Sequence, residues 1–203
     1  MVSESGLKNK FLFLLIILLS MMVSSCHAQP FRYSQVPGAT YTLNIKSIWI
    51  DKNFSAKDKL AIDDAIIEWN YVLNGTIILK PISYNFDMEI DTIKDAAANR
   101  GLLIMKIDSS NSMVENDHTA AWVNVIGGYK LYVIKDRVGS RLKKIMLHEL
   151  GHVLGAGHQP GNTLMFSIYD EKKFSCIDYA TVQQVADYNH ISISNLNYCR
   201  YLE

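Results

Sequence analysis

The eleven residues from His148 to His158 read HELGHVLGAGH and contain three of the chain's six histidines. Residues four apart in a helix project from the same face, with Cβ atoms roughly 5–6 Å apart. His148 and His152 can therefore direct both imidazoles at one metal ion, which lies about 2.0–2.1 Å from a ligating histidine nitrogen. The spacing predicts that this segment is a helix with a metal site on one face.

The third histidine has a different spacing, because His158 follows His152 by six residues. In a continuous helix it would lie more than two turns from His148, too far to share the ion. Gly155 permits the left-handed backbone that ends a helix, and Gly157 adds conformational freedom just before His158. We therefore predict that Gly155 ends the helix and that the turn returns His158 to the ion as a third ligand.

Three protein ligands leave one position of a tetrahedral zinc open to water, as in catalytic zinc sites, whereas structural sites close all four positions. Glu149 follows the first ligand and is displaced around the helix, so it is predicted to hold a metal-bound water and accept its proton. The spacing therefore predicts one catalytic Zn²⁺ that serves in hydrolysis. The alternative is a zinc-stabilised cell-surface binding or adhesion module without turnover.

Other helices must place this segment against a core. The helix of the motif is predicted to begin at Ser140, a residue type that caps helix N-termini. An earlier helix is predicted between Ser55, with Asp58 in the capping-box position, and Leu73. A last helix is predicted to follow Asp178. The apolar face of the earlier helix is assigned to Leu60, Ala61, Ala65, Ile66, Trp69 and Leu73.

Strands are predicted from alternating or continuous apolar runs that are rich in β-branched and aromatic residues. The run from residue 101 to 107 is almost entirely apolar, so it is predicted to be a central strand. Gly127 and Gly128 separate two strands and predict a hairpin. The predicted strands cover residues 41–50, 76–84, 101–107, 118–126 and 129–134. Strands before the motif helix and a helix after it indicate an α+β domain.

The composition is that of a globular protein large enough for one domain, with 203 residues, 49% hydrophobic and 20% charged. Lys and Arg number 20, as do Asp and Glu, so the formal net charge is +0. This balance argues against nucleic acid or an anionic membrane surface as the main partner. We expect a monomer whose partner is a protein or peptide substrate.

The N-terminus carries the apolar run FLFLLIILLSMMV after two lysines, which is typical of a secretory signal. Cleavage after Ala28 would remove a signal peptide of residues 1–28 and leave a catalytic domain of residues 29–203. Cleavage before Cys26 would remove residues 1–25 and leave a lipidated cysteine, as in bacterial lipoproteins. We expect a secreted or cell-envelope protein whose only membrane contact is a lipid anchor at Cys26. An uncleaved signal anchor is the remaining alternative.

Either cleavage leaves Cys176 and Cys199 as a pair in an oxidising compartment. We predict a disulfide between them that ties the C-terminal segment to the body of the domain. The loop-entropy description assigns about 3 kcal/mol to a ring of this size. The alternative is two free thiols.

The segment HELGHVLGAGH resembles the long zinc signature of the metzincin metalloproteases, and it is most similar to that of the matrixins. The family carries a methionine in a tight turn beneath the metal, and Met165, seven residues past His158, is the matching position. The resemblance implies a zinc endopeptidase with a twisted mixed sheet, an N-terminal helix, an active-site helix and a C-terminal helix after the Met-turn. It also implies that an extended substrate pairs with an edge strand between Ala120 and Ile134.

The sequence departs from the matrixin pattern at several positions. Only His118 and His190 remain outside the motif and the signal, too few for the structural zinc site that matrixins commonly carry. His118 itself is expected to be a surface or core residue. Phe166 stands where matrixins often have tyrosine, so the wall of the specificity pocket is expected to differ. No cysteine-switch propeptide precedes residue 41, so latency by that route is not expected.

Overall fold

The computed structural model describes residues 44–87, 101–116, 118–124, 129–168 and 176–199. The predicted signal segment with Cys26, the start of the first strand at residues 41–43 and the Gly127–Gly128 turn lie outside these ranges. None of the helices in the described ranges has the length and apolar character needed to cross a bilayer.

In the described residues, five strands form one mixed sheet, as the α+β prediction requires. They are β1 (Asn44–Asp51), β2 (Ile77–Phe86), β3 (Leu102–Ile107), β4 (Ala121–Asn124) and β5 (Tyr129–Ile134). Their order across the sheet is β2-β1-β3-β5-β4. The neighbours β2, β1, β3 and β5 pair in parallel, and β4 is antiparallel to β5. The apolar strand β3 is central, as predicted, and the short strand β4 lies at one edge.

The described helices are α1 (Ala56–Leu73), α2 (Lys135–Val138), α3 (Leu142–Val153) and α4 (Tyr179–Asn189). Helix α1 begins where predicted, with a complete capping box. The Ser55 Oγ accepts from the Asp58 N–H at 3.2 Å, and an Asp58 carboxylate oxygen accepts from the Ser55 N–H at 3.1 Å. Asp178 caps α4 through its side chain, which accepts from the Thr181 N–H.

The predicted apolar face of α1 is wrong at Leu60, whose side chain is 66% exposed. The buried stripe starts instead at Ile62, which is fully buried and lies on the opposite side of the helix from Leu60. Ala61 is half-buried at the margin. The side chains that α1 buries are Ile62, Ala65, Ile66, Trp69, Val72 and Leu73.

The predicted cap at Ser140 is also wrong. Ser140 lies inside a single 3₁₀ turn, Gly139–Arg141, and α3 begins at Leu142 with no side-chain cap at its N-terminus. The 3₁₀ turn leads directly into the α-helix. Ser140 therefore has a helical backbone conformation, whereas a capping residue has an extended one.

The sheet buries both of its faces along the central strands. On one face Ile104 and Leu131 join the main core, which also receives the buried sides of α1, α3 and α4. On the other face Leu103 and Tyr132 belong to a smaller apolar cluster. Adjacent residues of β3 therefore point to opposite faces, which explains why nearly every position of that strand is apolar.

Two polar contacts fix α3 against α1. The buried Trp69 indole Nε1–H donates to the Leu147 carbonyl at 2.9 Å, one residue before the first histidine of the motif. On the surface, Lys143 and Glu68 form an ion pair at 3.2 Å. The histidine-bearing helix is thus held by α1, the longest of the described helices.

The predicted disulfide is present. Cys176 and Cys199 are bonded, with their Cα atoms 6.1 Å apart. The Cys199 N–H also donates to the Ile177 carbonyl at 3.0 Å. Asn197 donates to the carbonyls of Val72 and Tyr71 at the end of α1. The C-terminal segment is therefore tied to the body of the domain at two places, as expected from the cysteine pair.

Candidate metal centre

The three histidines of the motif converge on one point. His148 and His152 lie four residues apart on α3, and His158 lies on the turn that follows the helix. Their ligating nitrogens all lie within 4.8 Å of one another, and the Nε2 atoms of His152 and His158 are 3.2 Å apart. Two nitrogens bound to one tetrahedral zinc at about 2.0–2.1 Å lie roughly 3.3 Å apart, so this spacing suits a shared ion.

Backbone carbonyls orient the two helical imidazoles. The His148 Nδ1 lies 2.8 Å from the Leu164 carbonyl oxygen, and the His152 Nδ1 lies 2.8 Å from the Ala156 carbonyl oxygen. A carbonyl only accepts, so each Nδ1 carries the proton and each Nε2 presents its lone pair to the shared point. Burial lowers the pKa of His148 to about 4 and also lowers that of His152. Both rings are therefore in the neutral form that metals bind.

Glu149 lies beside this point and is 7% exposed. Its Oε2 has no hydrogen-bond partner among the described residues. Burial raises the pKa of this carboxyl to about 8. A buried carboxyl oxygen without a partner is costly unless a water or an ion completes its environment. The set of three nitrogens and one unpartnered oxygen therefore fits a metal ion together with a water.

Gly155 ends the helix as predicted. Its φ is +99°, a conformation that side chains rarely adopt, and its N–H donates to the His152 carbonyl at 3.0 Å. Gly157 does not take a left-handed conformation, so the turn does not require the backbone freedom predicted for this glycine. Its N–H donates instead to the Gln184 side-chain oxygen at 2.7 Å. The two glycines that flank the turn thus have different roles.

This difference predicts different outcomes for two alanine substitutions. Gly155→Ala should lower the free energy of unfolding by about 1–3 kcal/mol, because φ is left-handed, and an added Cβ would lie 2.1 Å from Tyr188. Gly157→Ala should leave stability unchanged or slightly higher, because an added Cβ would meet only Gln184 at 3.9 Å. Urea unfolding of both variants measures the difference. An equal loss in the two would contradict this account of the turn.

Met165 is fully buried, and its sulfur packs against Gly151 of α3. A Cβ added to Gly151 would lie 2.6 Å from this sulfur, so any side chain at position 151 requires the methionine to shift. The Phe166 N–H donates to the Thr163 carbonyl at 3.2 Å, which closes a tight turn around the methionine. No role for Gly151 is predicted from the sequence. Its position between His148 and His152 is the one feature of the sequence that points to it.

A buried carboxylate supports the segment before Met165. Asp178 accepts from the Leu164 N–H at 2.7 Å and from the Thr181 N–H and hydroxyl at 3.0 and 2.8 Å. The carbonyl of the same Leu164 orients His148. The N-terminus of α4 is therefore connected to a metal-site histidine through one intervening residue. The sequence indicated Asp178 only as the start of a helix.

The histidines open into a cleft of about 750 Å³. The cleft is lined by the three histidines and Glu149, by Ala121, Trp122 and Val123 of β4, and by residues 166–168. His118 also lines it but is exposed and precedes β4, so its predicted place on a strand is wrong. Its N–H donates to the Asn116 side-chain oxygen at 3.0 Å.

Comparison with known proteins gives a limited result. No protein-family description matches the chain, and no curated protein matches it. Among solved structures, one titled "Crystal Structure of metalloproteinase-II from Bacteroides fragilis" is similar, with a TM-score of 0.46 and 14% identity. The match covers 78% of this chain and 58% of that chain, so the chain spans little more than half of its length. A similarity this distant carries no weight in assigning the function, which has to come from the site.

Proposed function

We propose that the protein is a zinc-dependent endopeptidase of the metzincin type, with its catalytic domain in residues 29–203. The observation that carries the proposal is the convergence of three histidine side chains beside the buried, unpartnered oxygen of Glu149. The open cleft at this point supports it, because a metal held by three protein ligands keeps a position for water and substrate.

His148, His152 and His158 are the proposed ligands. Three imidazoles suit zinc, although copper, iron and nickel also bind them. Bound zinc supplies a Lewis acid that polarises the scissile carbonyl and lowers the pKa of a water toward about 7. Met165 is proposed as the apolar base of the site, in the position of the Met-turn. The close packing of its sulfur against Gly151 supports that role.

Glu149 is the proposed general base and acid. Its Oε2 takes a proton from the water whose oxygen attacks the carbonyl carbon, and it delivers that proton to the nitrogen as the carbon–nitrogen bond breaks. Burial raises the proton affinity of this carboxyl, and a neighbouring cation lowers it again. Burial alone raises this pKa to about 8, so a cation bound beside it would lower the pKa toward neutral pH, where acid–base catalysis is efficient.

The substrate is proposed to lie extended along β4. This strand lies at the edge of the sheet and lines the cleft with Ala121, Trp122 and Val123. An extended peptide can add to such an edge through main-chain hydrogen bonds. Pairing of this kind does not depend on a chain terminus, and this favours cleavage within a polypeptide.

Export of the protein is part of the proposal. The Cys176–Cys199 disulfide supports it, because such bonds persist in oxidising compartments. The apolar N-terminal run supports it from the sequence. Both a freely secreted form and a form lipidated at Cys26 are consistent with these two features.

The test is digestion of an unfolded protein by the purified chain. We expect cleavage to stop when zinc is removed with a chelator and to return when zinc is restored. A zinc-stabilised binding module would bind the metal and gain stability from it, but it would cut nothing. Zinc binding without cleavage of any member of a broad peptide library would therefore reject the endopeptidase and leave the binding module.

A further inference from the structure

His158 differs from the other two histidines because it lies outside any helix and is exposed. Its position depends on the turn that carries it. Gly157, on one side, donates its N–H to the Gln184 side-chain oxygen at 2.7 Å. Gln159, on the other side, donates its N–H to the Met165 carbonyl at 2.9 Å. Both neighbours of the exposed histidine are therefore held by hydrogen bonds.

Helix α4 provides the support on which this turn rests. The Gln159 side-chain nitrogen donates to the Ala180 carbonyl at 3.2 Å. Ala180 and Gln184 lie four residues apart, so they face the turn from the same side of α4. Near the other end of α4, Asn189 donates to the Leu154 carbonyl at 2.7 Å. The helix thus contacts the chain before and after His158.

The helix itself is firmly placed. Asp178 caps its N-terminus and is buried, and the side chains of Val182, Val185 and Ala186 are fully buried in the main core. Gln184 stands on the half-buried side of this fixed helix. It can therefore hold the Gly157 N–H at a defined position.

We propose that Gln184 is a positioning residue for the metal site, one that acts on His158 through Gly157. A turn without regular structure loses conformational entropy when its histidine is fixed by a metal. A turn that is already held loses less, so the metal binds more tightly. This inference rests on the proposed metal site but not on proteolysis.

The change that isolates this role is Gln184→Met, which keeps the length of the side chain and removes the acceptor. We expect zinc affinity to fall about tenfold, at the lower end of the 10–100-fold typical of residues that support metal ligands. Gln184→Glu keeps an acceptor for the Gly157 N–H, so its affinity should stay within about threefold of that of the unmodified protein. Competition with a chromophoric chelator measures these affinities without reference to activity.

Gln183 offers a matched control on the same helix. Among the described residues, its side chain hydrogen-bonds within α4, accepting from the Tyr179 hydroxyl at 3.0 Å and donating to Asp187 at 2.8 Å. Gln183→Met should leave zinc affinity unchanged. With cobalt in place of zinc, Gln184→Met alone should weaken the visible absorption of the tetrahedral ion, because His158 is then bound to the ion in a smaller fraction of the molecules.

The outcomes separate the two proposals. If the unmodified protein binds neither zinc nor cobalt, the proposed metal site is wrong. If it binds both and Gln184→Met binds them equally well, the role of Gln184 is wrong. The role is also wrong if Gln183→Met loses as much affinity. If Gln184→Met does not fold, Gln184→Glu decides, since an affinity tenfold below that of the unmodified protein would contradict the acceptor role.

Discussion

Glu149→Gln should lower the rate of peptide hydrolysis by about 10²–10⁴-fold while zinc remains bound, because general acid–base catalysis contributes that much. The amide keeps the shape of the side chain but cannot take a proton from water. The three histidines are untouched, so zinc content measured by metal analysis should equal that of the unmodified protein. Hydrolysis of a fluorogenic peptide gives the rate.

The same substitution makes a second measurable difference. Glu149 is buried with one oxygen unpartnered, and burial raises its pKa to about 8, so folding at neutral pH requires this carboxyl to take up a proton; a neutral amide of the same shape removes that cost. The free energy of unfolding of the metal-free variant should be equal to or above that of the unmodified protein. Glu115→Gln, the same change at an exposed glutamate, is the control for activity and stability. Full activity of the Glu149→Gln variant would exclude Glu149 as the general base.

His152→Ala should abolish activity by removing the metal. His152 is central to the site, with its ring centroid 4.8 Å from that of His148 and 4.7 Å from that of His158. Without it, two ligands remain, on separate segments of the chain. Loss of a residue that only supports a metal ligand typically lowers metal affinity by about 10–100-fold. Because His152 is itself a proposed ligand, we expect its loss to lower zinc affinity by more than roughly 100-fold.

Stability measurements detect the same loss independently of activity. At a free zinc concentration 1,000 times the dissociation constant, binding to the folded state stabilises it by about 4 kcal/mol. Urea unfolding of the unmodified protein should therefore shift on addition of zinc, and that of His152→Ala should not. His190→Asn is the control, because His190 is an exposed residue at φ 55° in the left-handed region, which asparagine tolerates. If zinc shifts the urea unfolding of His152→Ala as much as that of the unmodified protein, His152 is not a metal ligand.

Local sequence signals predicted most of the elements that surround the site. The capping box at Ser55 sets the start of α1, and the apolar run of β3 reflects burial on both faces. These features depend on residues close together in the chain. The prediction that Leu60 lies on the buried face of α1 is wrong because burial depends on residues far away in the chain. Helical spacing allows more than one apolar stripe on α1, and only the position of the sheet decides which stripe is buried.

The sequence predicts the parts of the site that depend on residues close together in the chain. His148, His152 and Gly155 follow from helix geometry and from the need to end the helix. The contacts that support them come from elsewhere in the chain. Asp178 reaches Leu164 across 14 residues, and Gln184 reaches Gly157 across 27. No spacing rule connects such pairs, so only the folded chain brings them together.

The turn that carries His158 also affects how long the protein would survive the proposed proteolytic activity. Residues 154–168 form no helix or strand, and several of them, including Pro160 and Gly161, are exposed. Hydrogen bonds from Gly157 to Gln184 and from Gln159 to Met165 hold one end of this exposed segment, and zinc bound at the proposed site would add a third attachment through His158. If the proposed endopeptidase activity is correct, an accessible loop of this kind is a segment that another copy of the protein could cut. A metal-free molecule would keep the two hydrogen bonds and lack the third attachment, so it would be cut faster than a zinc-bound one, and autolysis would enrich the metal-bound form.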